Sequence, residues 1–207
     1  MKQLFVVRHS LPHEGHPQWP GDPPLHPQGM RHAKRLATVM AKLDIDSIVS
    51  SPQRRALDTA EPLATRLQLR PRVIDGLAEI DQHVERYRSI ETIRSEEPHR
   101  WTEFVASPAR FFGKDPKAFR AKVIASFQEI LHTSGTRSIA VFSHGMTIKT
   151  LLSAVLGLPE TEFAKFSLAY GGVTRLSGDD VGQLRIDSMN ESLCAPIAPK
   201  APKRKNA

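Results

Sequence analysis

The chain has 207 residues, 40% of them hydrophobic, enough for one buried core and within the roughly 250 residues a single domain sustains. No apolar run reaches bilayer length, and the run at residues 4–7 stops at Arg8 and His9, so neither a membrane anchor nor a signal peptide is expected. The formal charge of +7 does not argue for nucleic-acid binding: Lys200, Lys203, Arg204 and Lys205 supply four of the seven charges from a proline-rich tail, residues 195–207, that lacks aromatics to stack on bases.

Residues 2–7 form a short apolar run bounded by polar residues, which predicts a buried strand ending at Arg8-His9-Ser10. Residues 11–27 are rich in Pro, Gly and His and read as an exposed loop. From Gly29, the side chains Met30, Ala33, Leu36, Ala37 and Met40 recur at the three-and-four spacing of an amphipathic helix, and a second strand follows at 47–50. Ser51 reads as an N-cap with Pro52 in the first turn. Ala56, Ala60, Leu63, Ala64 and Leu67 then share one helix face, with a kink expected at Pro62.

A third strand is expected at 72–74. Tyr87, Ile90, Ile93, Trp101 and Phe104 then anchor a helical cap, an insert spanning residues 84–114, with the aromatic side chains packing beneath it. Asp115 and Pro116 give a helix start before the stripe Phe119, Val123, Ile124, Phe127, Ile130 and Leu131. Residues 138–142 predict a buried strand running through Ser143-His144-Gly145 into an apolar helix. Residues 173–176 and 183–189, joined by a turn at 178–182, predict a terminal hairpin. Alternating strands and helices imply an α/β three-layer α/β/α sandwich with a mostly parallel central sheet and the cap insert, one domain over 1–194 ahead of the basic tail.

Three basic motifs fall just after predicted strands: Arg8-His9, the segment Ser50 to Ala56 containing Arg54 and Arg55, and Ser143-His144-Gly145. Strand ends of a parallel sheet converge on one edge, so two arginines and two histidines would meet there and could surround a dianion with charge-assisted donors. A neutral imidazole in such a cradle is a competent nucleophile. The loop histidines His13, His16 and His26, with Glu14 and His32, lack the spacing of a zinc helix motif and read as a polar loop near the pocket mouth, so no metal is expected. The single cysteine, Cys194, has no disulfide or zinc partner and fits a reducing, cytoplasmic setting.

At these residues the sequence resembles the histidine phosphatase superfamily, the phosphoglycerate-mutase-like proteins. The resemblance is carried by Arg8-His9-Ser10, Ser51-Pro52-Gln53-Arg54-Arg55-Ala56, Leu77-Ala78-Glu79 and Ser143-His144-Gly145, in the family's order and over residues 3–193. It implies that His9 accepts the phosphoryl group and that Arg8, Arg55 and His144 hold its oxygens, with Ser10 and Gly145 completing the phosphate pocket. Glu79 would protonate the leaving oxygen and then activate water. Of the nearby carboxylates Glu61, Asp75, Asp81 and Glu85, most are expected to be solvated. No cofactor is implied, and the partner is a small phosphorylated substrate or a phosphoprotein. Gly15 stands where the family's mutases place an asparagine, which favours hydrolysis over the alternative of mutase transfer; phosphate binding without catalysis is the other alternative, favoured if Ser10 and the altered segment after Glu79 spoil the pocket.

Overall fold

The computed structural model describes residues 1–159, 162 and 165–197. In chain order these form β1 (Lys2–Arg8), α1 (Pro27–Met40), β2 (Ser47–Ser50), α2 (Arg54–Leu67), β3 (Arg72–Val73), α3 (Ile90–Glu96), α4 (Pro98–Ala106), α5 (Pro108–Phe111), α6 (Pro116–His132), β4 (Ser138–Ser143), α7 (Gly145–Val155), β5 (Val173–Gly178) and β6 (Arg185–Glu191). The strands make one sheet in the order β3-β2-β4-β1-β5-β6. Its first four strands are parallel to one another, and the β5–β6 hairpin adds to β1 antiparallel. The sheet is therefore mixed, parallel on the half that carries the chemistry.

The sandwich follows from alternation along strands buried on both faces. In β1, Leu4 and Val6 face one core with Ile139 and Val141 of β4, under Val123, Phe127, Ile130 of α6 and Leu151, Leu152 of α7. Phe5 and Val7 face the other with Ala140 and Phe142, under Leu36 and Met40 of α1 and Ala60 and Leu63 of α2. Each fully buried aliphatic side chain adds about 1.5–3 kcal/mol, so the two faces together fix the strand register that aligns the site. A third cluster, Ile93, Phe104, Ala109 and Phe111 with Ile80 and Met146, binds α3–α5 over the sheet's carboxyl edge. Trp101 stacks on Phe104 with ring centroids 5.4 Å apart, and Phe111 meets Phe104 edge-on at the same separation.

Several boundaries differ from expectation for identifiable reasons. Residues 11–26 are a loop but not a wholly exposed one: Pro12 and Leu25 are buried and bridge each other, and the Leu25 N–H donates to Asp58 at 3.0 Å. The loop is tied to the cap through the Tyr87 N–H on Pro20 O at 2.7 Å and the Ser89 N–H on Glu14 Oε1 at 3.1 Å. Helix α1 begins at Pro27, where His26 caps it by accepting from the Gln28 N–H. Helix α2 begins at Arg54 with Gln53 at the cap, two residues past the predicted one, because Ser51 is drawn into the site below. That helix continues through Pro62 to Leu67. Asp115 caps α6 as expected, accepting from the Lys117 N–H at 2.9 Å. Among the described residues no helix is long and apolar enough to cross a membrane. The charged part of the basic tail lies outside the described residues.

Candidate active site

Strand register alone brings three of the motifs together. Arg8 pairs with Ser143 and Ser50 with Phe142, so the next residues of the adjacent strands β2, β4 and β1 are Ser51, His144 and His9. The turn is locked by backbone hydrogen bonds from His9 N–H to Ser143 O at 2.8 Å and from Ser51 N–H to Phe142 O at 2.9 Å. His9 and His144 face each other with ring centroids 5.1 Å apart, and both are buried.

His9 has a defined tautomer. Nδ1 of His9 lies 2.8 Å from Ser10 O, and a carbonyl can only accept, so Nδ1 carries the proton and Nε2 keeps its lone pair. Ser51 Oγ accepts from the Gln53 N–H at 3.3 Å and lies 2.7 Å from His144 Nε2, at hydrogen-bond distance. The other ring nitrogen of His144, Nδ1, is a buried atom with no hydrogen-bond partner among the described residues. Burial, followed by the Arg55 charge, holds the pKa of both histidines well below the ordinary value, so both are neutral at pH 7.

Two guanidiniums flank the rings. Arg8 donates from Nη1 to Leu168 O at 2.6 Å and lies 4.0 Å from the ring centre of Tyr170. Arg55, wholly inaccessible to solvent, donates from Nη2 to Asp81 Oδ1 at 2.8 Å and lies 4.6 Å from the centre of the Tyr87 ring. Each arginine thus spends one donor and one face on fixing its orientation. Nε of Arg8 and both Nε and Nη1 of Arg55 are buried without a hydrogen-bond partner. Arg55 has two counter-ions, buried Asp81 and, at 3.6 Å from Nη1, half-exposed Asp22, whereas Arg8 has no ion-pair partner among the described residues; a buried charge left unpaired is costly unless an anion meets it. The unsatisfied polar atoms belong to Arg8, Arg55 and His144, the three residues named from sequence as holding phosphoryl oxygens.

Glu79 enters from the segment between β3 and α3. Its backbone N–H donates to Gln53 Oε1 at 2.7 Å, while its carboxylate accepts from the Ile80 N–H at 2.9 Å and the Met146 N–H at 2.8 Å. Burial first, then the neighbouring Asp81 charge, pushes its pKa up, which favours a protonated carboxyl. Gly145 lines the pocket between Arg8 and Glu79: a Cβ there would sit 3.5 Å from Arg8 Nε and 3.8 Å from Glu79 Oε2. The cavity bounded by these groups is small, about 30 Å³, and is roofed by Tyr87, Ile93, Phe104 and Phe112.

One expectation is corrected, and one carboxylate stands apart from the solvated majority. Ser10 contributes neither donor to the cradle: its N–H goes to Thr59 Oγ1 at 3.0 Å and its Oγ pairs with His32 Nδ1 at 2.9 Å, behind the nucleophile. Its carbonyl, which sets the His9 tautomer, is the group that matters. Asp81 is not solvated. It is 5% exposed, and besides Arg55 it accepts from Gln53 Nε2 at 3.1 Å. His32 likewise leaves the loop histidines and is buried, whereas His13 has His16 and His26 as ring neighbours at 5.0 and 5.5 Å.

Sequence reasoning missed Tyr170, Gln53 and the Ser51 hydroxyl, and it read Tyr87 as packing beneath the cap without its place against Arg55. Gln53 and Ser51 lie inside a motif already singled out. Tyr170 stands before the glycine pair Gly171-Gly172 that leads into β5, the strand beside β1, and that placement was its one available signal.

Comparison with known proteins places the same residues in context. The family model described as histidine phosphatase superfamily (branch 1) matches residues 4–192. Phosphoserine phosphatase 1 of Hydrogenobacter thermophilus is 27% identical over 172 residues, covering 80% of this chain and 82% of the relative. A probable phosphoglycerate mutase of Escherichia fergusonii is 27% identical over 193 residues, covering 85% of each chain. Among solved structures, a mycobacterial glucosyl-3-phosphoglycerate phosphatase superposes with a TM-score of 0.77 at 26% identity, over 93% of this chain and all of that one.

Proposed function

Because the chain belongs to branch 1 of the histidine phosphatase superfamily, we propose that it hydrolyses phosphomonoesters through a phosphohistidine formed on Nε2 of His9. The observation that carries this reading is the His9 Nδ1 hydrogen bond to Ser10 O, which leaves the opposite nitrogen unprotonated beside the unsatisfied donors of two arginines. Nε2 attacks phosphorus and the P–O ester bond breaks. The departing oxygen takes its proton from Glu79, and the Nδ1–H stays on Ser10 O, where the carbonyl dipole steadies the positive charge the ring acquires. In the second half Glu79, now a carboxylate, takes a proton from water, the water oxygen bonds to phosphorus and the P–N bond breaks. His9 and inorganic phosphate are regenerated.

Charge on the transferring group is met by Arg8, Arg55 and His144, so the reaction is proposed to need no metal ion. The test is turnover of an aryl phosphate in chelator by wild type and His9→Ala. Comparable turnover by the two would refute the assignment, and loss of activity in chelator restored by a divalent ion would refute metal independence.

The similarity to a probable phosphoglycerate mutase favours a second reading, return of the phosphoryl group to another hydroxyl. Gly15, which carries no side chain at a position where mutases use asparagine, weighs against it. Phosphate release in excess of isomer formation, measured on a phosphorylated hydroxy acid, separates the two.

A further inference from the structure

The cradle is a small cavity, about 30 Å³, whose lining includes Ile80 and Met146 beside Glu79. The alcohol oxygen is to be protonated by Glu79, whose carboxylate accepts from the Ile80 and Met146 N–H groups, so the alcohol is directed toward the wall on that side. That wall is Ile80 and Met146, and the same two side chains line a second cavity of about 390 Å³ between α5, the start of α6 and α7. A volume of that order accommodates a small organic ligand.

The second cavity is cationic. Arg110, Lys117 and Arg120 line it with one carboxylate, Asp115, whose Oδ1 is engaged in capping α6. None of the three cations is ion-paired among the described residues, and Nη1 of Arg120 is buried with no hydrogen-bond partner. Surface arginines ordinarily leave such donors in water, so a shielded, unsatisfied guanidinium nitrogen beside two further cations is an arrangement that an anion would complete.

We propose that this cavity is a second anion subsite and that the natural substrate carries, on its alcohol side, a carboxylate or second phosphate that binds Arg120, Lys117 and Arg110. The proposal rests on the phosphatase reading for the position of the cradle, and it narrows the substrate to phosphomonoesters with two separated anionic groups. The subsite takes no part in the chemical step. It acts on binding, so it lowers KM for such esters and leaves kcat alone.

The experiment compares three esters of one chain length: an alkyl phosphate, its ω-carboxylate and its α,ω-bisphosphate. The enzymes are wild type, the double variant Lys117→Met/Arg120→Met, and Arg110→Met, each checked for native circular dichroism. The expected result is a KM about tenfold or more lower for the two-anion esters in wild type, as two charge-assisted hydrogen bonds would give, lost in the double variant while the alkyl phosphate is unaffected. The better of the two anionic esters identifies the group. Equal KM values for all three esters in wild type, or a preference that survives both variants, overturns the subsite. If no ester is turned over, the phosphatase reading fails separately. The subsite is then judged by calorimetric binding of the same esters to His9→Ala with and without the Lys117/Arg120 changes: tighter, Arg120-dependent binding of the two-anion esters supports it and equal binding overturns it.

Discussion

Arg55 and Asp81 meet at 2.8 Å in a place that solvent barely reaches, with the guanidinium fully buried and the carboxylate 5% exposed. Removing Arg55 strands the Asp81 charge, and removing Asp81 leaves Arg55 with only half-exposed Asp22, at 3.6 Å, as counter-ion. Asp81→Leu should therefore cost about 3–5 kcal/mol of unfolding free energy in a denaturant titration, while Arg55→Met combined with Asp81→Leu should cost clearly less, because no buried charge is left unpaired. A loss in the double variant equal to the sum of the losses in Asp81→Leu and Arg55→Met alone would mean that the pair is not coupled.

An anion that satisfies the cradle should stabilise the fold. Inorganic phosphate at a hundred times its dissociation constant should add about 2.7 kcal/mol by linkage, read as a rise in Tm that follows phosphate concentration. The rise should vanish in Arg55→Met, which removes two of the unsatisfied buried donors.

The buried histidines set the acid side of stability. Their folded pKa values are depressed, by burial and then by Arg55, so the unfolded chain takes up protons near pH 6.5 that the folded chain refuses. Stability from this source is full above about pH 6.5 and is lost as pH falls toward the folded values, at up to about 1.4 kcal/mol per histidine per pH unit. Replacing His144 with Gln should halve that contribution to the slope of unfolding free energy against pH. An unchanged slope would place the titrating groups elsewhere.

Glu79 sets the alkaline side of activity. Its pKa is raised, chiefly by burial, and it must be protonated to assist departure of an alkoxide, so kcat/KM for alkyl phosphates should decline as pH rises through that raised value. In Glu79→Gln the alkaline limb should disappear and kcat should drop about 10²–10⁴-fold for alkyl esters, with a much smaller drop for an aryl ester whose leaving group needs no proton. A uniform drop for both classes would count against general-acid catalysis.

The parts of this site that the sequence made legible are those set by strand ends. Apolar runs stopping at Arg8-His9 and Ser143-His144, together with the Ser51-Pro52 signal, located three adjacent corners of the sheet, because parallel strands necessarily bring their carboxyl ends together. What stayed hidden depends on pairing at a distance. Asp81 reads as one of several carboxylates, most of them solvated, until Arg55, 26 positions earlier, is seen to be beside it. Ser51 reads as a helix cap because a hydroxyl before proline usually is one, and its bond to His144 spans 93 positions. Ser10 could be read for its N–H but not for the partners that claim it, Thr59 and His32. Tyr87 and Tyr170 carry no local signal for lying over the two arginines.

The central claim is that Nε2 of His9 becomes covalently phosphorylated. The most direct measurement is intact-mass analysis, with peptide mapping, of enzyme quenched at alkaline pH during turnover of an aryl phosphate, where a phosphohistidine survives. The account predicts a fraction of the chain heavier by one phosphoryl group, mapped to His9, lost on acid treatment and absent in His9→Ala. Turnover with no such species under rapid quench, or a phosphoryl group mapped to any residue other than His9, would contradict it.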